Sequence, residues 1–321
     1  MQALLLAAAL LLPPPARATG DESGGDSAPA AEARAIATDV TFFVTADLHF
    51  GATADIEALN RKQVEAMNAL PGRRWPAAGY GPVAQPAAVL VAGDLTDHGL
   101  AGEWKQFAAL YGLGSGDGPA GSRTGLLKWP VYECTGNHDR ILWLARPVLA
   151  EVRKRHGDLC YSLDLGGVHV VCLDLYPDKE HLAWLGRDLA KVGPKRAVVI
   201  FFHYGLAGPF ADWWSAAEKL AFAKAVADYN VVGIFHGHYH ASKHYPWRGL
   251  DVYNVGSPRH RWHSFAAVRI TRRAMIVASW NWDRGRWQWL HSKRVSTIEP
   301  PAPATAPAPT TRPAAGAPAT G

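Results

Sequence analysis

Five times along the middle of the chain, an apolar, β-favouring run stops abruptly at an acid, amide or imidazole side chain. Residues 40–46 run into Asp47-Leu48-His49, residues 87–93 into Asp94, and residues 130–136 into Asn137-His138-Asp139. Residues 197–202 run into His203, and residues 231–237 into His238-Tyr239-His240. Runs without polar alternation predict strands buried on both faces, in sheets covered by helices. Between them, Ile56, Leu59, Met67 and Leu70 recur at helical spacing after Asp55, which stands as the N-cap. Trp104, Phe107 and Tyr111 form a second stripe, and residues 220–226 belong to a third helical segment. In α/β sheets ligands bind outside the carboxyl ends of the strands. The five polar clusters are therefore expected to converge on one rim.

Two further stretches read as antiparallel hairpins. Residues 160–165 and 168–174 flank Gly166-Gly167, and residues 274–282 and 286–290 flank Asp283-Arg284-Gly285. Trp280, Trp282, Trp287 and Trp289 alternate in the second, which predicts an aromatic face packed as core. Parallel and antiparallel stretches together predict an α/β protein: two mixed β-sheets packed as a sandwich, with helices outside.

Composition separates the ends from this middle. Residues 1–18 read as an export signal: an apolar stretch from Ala3 to Leu12, three prolines, then Ala16-Arg17-Ala18. A periplasmic or extracellular location follows as an expectation, with no transmembrane segment in the mature chain, because a spanning helix needs ~20 apolar residues. Residues 19–38 are small and polar, a linker. Residues 299–321 form a Pro/Ala/Thr-rich tail with little to bury. A single folded domain is expected over residues 39–298. The ends hold three basic and five acidic residues, so the middle is +7 where the whole chain is +5. No arginine-rich arm or RNA-binding motif accompanies that charge, so nucleic acid is not expected as a stable partner. The three cysteines, Cys134, Cys160 and Cys172, exclude a disulfide-built scaffold and are expected as buried thiols.

Asp47, His49, Asp94, Asn137, His203, His238 and His240 comprise three oxygen donors and four imidazoles. That mixture suits two divalent or trivalent ions of the Mn, Fe, Zn or Co type better than Ca or Mg. Seven ligands are too many for one ordinary site and enough for two that share a carboxylate.

Asp47-Leu48-His49, Gly93-Asp94, Gly136-Asn137-His138-Asp139, His203 and Gly237-His238-Tyr239-His240 resemble the five signature blocks of the calcineurin-like metallophosphoesterase superfamily. The resemblance implies a four-layer αββα fold and a binuclear metal-dependent hydrolase of phosphoric esters. One metal would take Asp47, His49 and His240, the other Asn137, His203 and His238, with Asp94 bridging. A hydroxide bridging both metals would attack phosphorus in line, and His138 would protonate the leaving oxygen. Asp97 fits the acid that orients such a histidine in some branches, and Asp139 competes for that place. Asp97-His98-Gly99 departs from the Asp-Arg-Gly of protein Ser/Thr phosphatases, and His49 with Asp97 departs from purple acid phosphatases. Gly93-Asp94-Leu95-Thr96-Asp97 is more similar to the cyclic-nucleotide phosphodiesterase and small bacterial phosphoesterase branches.

On the substrate side, Arg140, Arg259 and His263 are candidates for contacting the phosphate of a small-molecule ester, Arg by paired hydrogen bonds. Phe210, Trp213 and Trp214, after His203, are candidates for a pocket wall. The glycine-rich stretch between Gly112 and Gly125 lacks a GK[ST] ending and is no phosphate-binding P-loop. The reading is therefore a phosphoester hydrolase, monoesterase or diesterase. The rival from another class is a metal-binding or interaction module without catalysis.

Overall fold

The computed structural model describes residues 39–113, 125–141, 146–207 and 213–295. The expected export signal, linker and tail lie outside the described residues, as do Phe210 and most of the glycine-rich stretch.

Two six-stranded mixed sheets stack face to face. The first comprises β1 (Asp39–Thr45), β2 (Val89–Ala92), β3 (Val131–Cys134), β10 (Ser264–Thr271), β11 (Ala274–Asn281) and β12 (Arg286–Arg294), in the order β12-β11-β10-β1-β2-β3. Within it β1, β2 and β3 are parallel, and β10 to β12 extend the other side antiparallel. The second comprises β4 (Cys160–Leu165), β5 (Val168–Leu173), β6 (Val198–Phe201), β7 (Val231–His236), β8 (Ser242–Trp247) and β9 (Leu250–Val255), in the order β4-β5-β6-β7-β9-β8. There β5, β6, β7 and β9 run parallel, with β4 and β8 antiparallel at the edges.

The apolar runs are continuous because both faces of each sheet are covered. Phe42, Val44 and Leu90 point between the sheets, where they meet Val170, Val199, Phe201 and Phe235. Their neighbours Phe43, Val89 and Val91 point outward, onto α1 (Ile56–Ala69), α2 (Ala101–Tyr111) and α3 (Pro147–His156). On the other side, Ile200 and Ile234 pack under α4 (Lys179–Val192) and α5 (Ala216–Val226). Alternation with period two thus feeds two apolar layers from each strand, giving the four-layer arrangement that the resemblance implied.

One local expectation needs correcting. Asp55 occupies the N-cap position of α1, but its side chain makes no capping hydrogen bond. The expected third helical segment is α5, whose buried positions are Phe222 and Val226. Cys160 and Cys172 do not meet across the hairpin. The register pairs Cys160 with Leu173 and Tyr161 with Cys172, so the two thiols face opposite sides of the sheet. All three cysteines are free and buried.

Candidate metal centre

Strand ends build the site. Asp47, Asp94 and Asn137 follow the adjacent parallel strands β1, β2 and β3, and His203 and His238 follow the adjacent parallel strands β6 and β7. All seven expected ligands meet there. Asp47, His49 and His240 offer donor atoms within 4.8 Å of one another, and so do Asp94, His203 and His238. Asn137 joins the second group through Oδ1, 3.0 Å from Nε2 of His203. Asp94 Oδ2 lies between the groups, 3.6 Å from Nε2 of His49 and 3.3 Å from Nε2 of His203.

The backbone is bent to achieve this. Asp47, His49, Asp94, His238 and His240 all adopt positive φ, between 47° and 73°. That conformation is strained for non-glycine residues, and such strain concentrates at functional sites. A web of hydrogen bonds holds it. The amides of Leu48 and His49 donate to Asp94 O, and the amides of His238 and His138 donate to Oδ1 of Asp47 and of Asp94. Asn254 donates to Gly237 O and accepts from Ala241 N, pinning the turn that carries His238 and His240. Ser257 Oγ donates to Asp47 O. Three motif glycines leave no room for a side chain: a Cβ at Gly93 would strike His203, at Gly136 Asp94, and at Gly237 Ala46.

The donor set fits cations. Asp47 Oδ2 and His240 Nδ1 are buried without a hydrogen-bond partner among the described residues. Leaving a buried carboxylate oxygen unsatisfied is costly, and an ion would satisfy it. Among the protein groups alone, burial pushes Asp47 up to about 7, with Asp94 adding to the rise. Burial lowers His49 to about 2, His238 to about 4 and His240 to about 3, so these imidazoles are neutral and ready to ligate. At His203 burial acts downward too, but the adjacent Asp94 outweighs it and lifts the group to about 9. Asp94 itself resists the upward pull of burial and stays well below the usual carboxylate range, chiefly through His203.

The other expected residues divide. His138 stands at the rim, about a third exposed, its ring 4.5 Å from that of His49. Its Nδ1 donates to the backbone carbonyl of Asp97 at 2.8 Å, which leaves Nε2 to exchange a proton. The Asp97 carboxylate turns instead to Nδ1 of His49, at 2.8 Å, and is 3.6 Å from His138. Arg259 reaches that same carboxylate at 3.3 Å, which places it beside the centre. Trp213 is 52% exposed, stacked on Tyr204 and 5.7 Å from the ring of His238.

Four expectations give way. The Asp139 carboxylate accepts from the amides of Leu95, Thr96 and Gly136 and from the Thr96 hydroxyl, so it ties the second block to the third instead of facing His138. Arg140 is committed to Asp174 and to the Thr135 hydroxyl, and is not free for a phosphate. Trp214 packs on Phe202 and Phe222 as core, and His263 stacks on Trp282 beside Asp283. Sequence reasoning missed Asp174, Asn254 and Ser257 as supports. For Asp174 the signal existed, since β5 also runs straight into an acid, which is buried at positive φ.

Residues 40–242 match the profile of the calcineurin-like phosphoesterase family. No curated protein sequence matches significantly. Among solved structures, a dimetal phosphatase from Danio rerio superposes with a TM-score of 0.56 at 13% identity, over 80% of this chain and 99% of its own. A purple acid phosphatase from yellow lupin gives 0.60 at 14% identity, over 87% of this chain and 58% of its own. GAP50, the anchor in the inner membrane complex of Plasmodium, gives 0.57 at 11% identity, over 82% and 90%. At these identities the likeness is one of fold.

Proposed function

The chain belongs to the calcineurin-like phosphoesterase family, and from that premise we propose that it hydrolyses small phosphoric esters with a pair of metal ions. The observation that carries this reading is Asp94, whose Oδ2 stands between a histidine of each ligand group. Asp47, His49 and His240 would hold one ion, Asn137, His203 and His238 the other, and Asp94 both. Mn, Fe, Zn or Co suits the donors. The ions, when bound, supply an activated water and neutralise charge building on the phosphoryl oxygens.

The remaining work falls to the chain's own residues. His138 carries a proton on Nε2 toward the leaving oxygen while its Nδ1 stays anchored on Asp97 O. Asp97 positions His49, and Arg259 adds positive charge beside it. Trp213, exposed at the rim, offers a face to an organic leaving group. The pattern after Asp94 favours diesters, cyclic nucleotides among them, as the alternative to monoesters. An export signal over residues 1–18 would place the reaction outside the cytoplasm, and no helix of the described residues is long and apolar enough to cross a membrane.

The test is a substrate panel with the full chain reconstituted with Mn²⁺: p-nitrophenyl phosphate, bis-p-nitrophenyl phosphate and cyclic nucleotides. Chelator-sensitive turnover of at least one is expected, and the preferred one assigns monoester or diester. Full metal occupancy without turnover of any would sink the catalytic reading and favour a metal-binding module.

A further inference from the structure

A second cluster of metal-ligating side chains lies where the open edges of the two sheets meet. His244 is on β8, the edge strand of the second sheet, Asp251 is on its neighbour β9, and His291 is on β12, the edge strand of the first. Nε2 of His244 is 2.8 Å from Asp251 Oδ1, and Nε2 of His291 is 3.7 Å from the same oxygen. The two imidazoles stack with centroids 3.8 Å apart and planes at 18°. We propose that His244, Asp251 and His291 bind one borderline transition-metal dication, Zn²⁺ in type, which clasps the two sheet edges together.

The geometry suits that ion. In a tetrahedral site with bonds near 2.0 Å, ligand atoms stand roughly 3.3 Å apart, and the two distances to Asp251 Oδ1 fall on either side of that value. The supporting contacts have the pattern of a ligand set already aimed. The Tyr253 hydroxyl engages Nδ1 of His291 at 2.7 Å, which leaves Nε2 as the nitrogen for an ion and sets the ring's orientation. Lys293 takes the other carboxylate oxygen, Oδ2, at 2.5 Å and leaves Oδ1 to the imidazoles. Two imidazoles and one carboxylate are a donor set for Zn, Co, Ni or Cu and a poor one for Mg or Ca. The position also gives the ion a task, because it adds a bond between β12 and the β8–β9 pair, where Trp289 already donates to Ser242 O.

The probe is Zn²⁺ alone, added to the chelator-treated full chain. Elemental analysis after dialysis should find one equivalent more in the wild type than in His291→Gln, and the Zn²⁺-induced rise in Tm should shrink in that variant. Phosphoesterase turnover should be unchanged. Tyr253→Phe keeps the packing and removes only the hydroxyl that orients His291; it should weaken this binding step about 10- to 100-fold. Equal Zn²⁺ content and equal Tm gain in wild type and both variants would overturn the proposal, leaving an ordinary ion-pair network.

Discussion

Oδ1 of Asp97 lies 2.8 Å from Nδ1 of His49, so this carboxylate sets which nitrogen of His49 turns toward the centre of the site. Partners of this kind hold a ligating imidazole in one tautomer and raise its basicity. Replacing Asp97 by Ala should therefore weaken metal binding about 10- to 100-fold, with turnover recovering as metal is added in excess. Titration of activity against free metal checks this. Turnover lost at full metal occupancy would instead mean that Asp97 acts through His138.

His138 is a different case, because its anchor is a peptide oxygen and its own amide, not its ring, supports Asp94. His138→Ala keeps that amide. Metal content should stay as in the wild type while kcat falls ~10²–10⁴-fold, the range for losing a general acid. The loss should be smaller for p-nitrophenyl esters, whose leaving group needs less protonation, than for alkyl esters. A variant that loses both metals would show that His138 serves the ligand shell.

The pairing of roles among these acids was beyond the reach of sequence. Asp97 comes three residues after the ligand Asp94 and Asp139 two residues after the ligand Asn137, and nothing in that spacing separates their roles. Their separation comes from chain direction: Asp94 sits at positive φ, and Asp139 lies in the middle of the short 3-10 turn His138–Arg140, with its carboxylate on the amides of Leu95 and Thr96. The ligands themselves were legible because each ends a continuous apolar run. The hairpins β4–β5 and β11–β12 were legible from their turns, whereas β8 was not. In β8 only Ser242 and Trp247 are buried, and Pro246 is tolerated because the strand is an edge. In α3 the buried Val148, Leu149 and Val152 are followed by the basic run Arg153 to His156, which hides the apolar stripe. Arg140 misled for a related reason. Its charge suggested phosphate, but buried Asp174 had already claimed it.

Gly136 illustrates a requirement of space alone, since a Cβ there would overlap the Asp94 carboxylate and the Asp94 amide nitrogen. Neither can yield without moving the residue that joins the two ligand groups. Gly136→Ala should destabilise by about 1–3 kcal/mol, the usual cost of forced overpacking, and should lower metal content as well. Gly186, inside α4, is the control, because a Cβ added there would meet nothing within 4 Å. Gly186→Ala should stabilise by roughly 0.5–1 kcal/mol through helix propensity. Denaturant unfolding of both variants, with metal analysis of the first, decides the point.

His169 carries a pH dependence that is independent of the metal centre. Its imidazole lies between Asp164 and Asp188, 2.9 Å from a carboxylate oxygen of each, on β5. Burial favours the neutral ring, but the two carboxylates prevail and raise its pKa above the ordinary 6.5. A folded-state pKa above the unfolded one means that the folded protein holds the proton more tightly. The resulting stabilisation is complete below 6.5 and is lost as pH rises through the higher folded value. His169→Gln should therefore cost about 1.5–3 kcal/mol at a pH below 6.5, the range for a hydrogen bond to a charged partner, and progressively less in alkaline buffer. Urea unfolding of wild type and variant across that range measures the difference directly. A penalty that grows with pH would show that His169 is neutral in the folded state and that the carboxylates do not prevail.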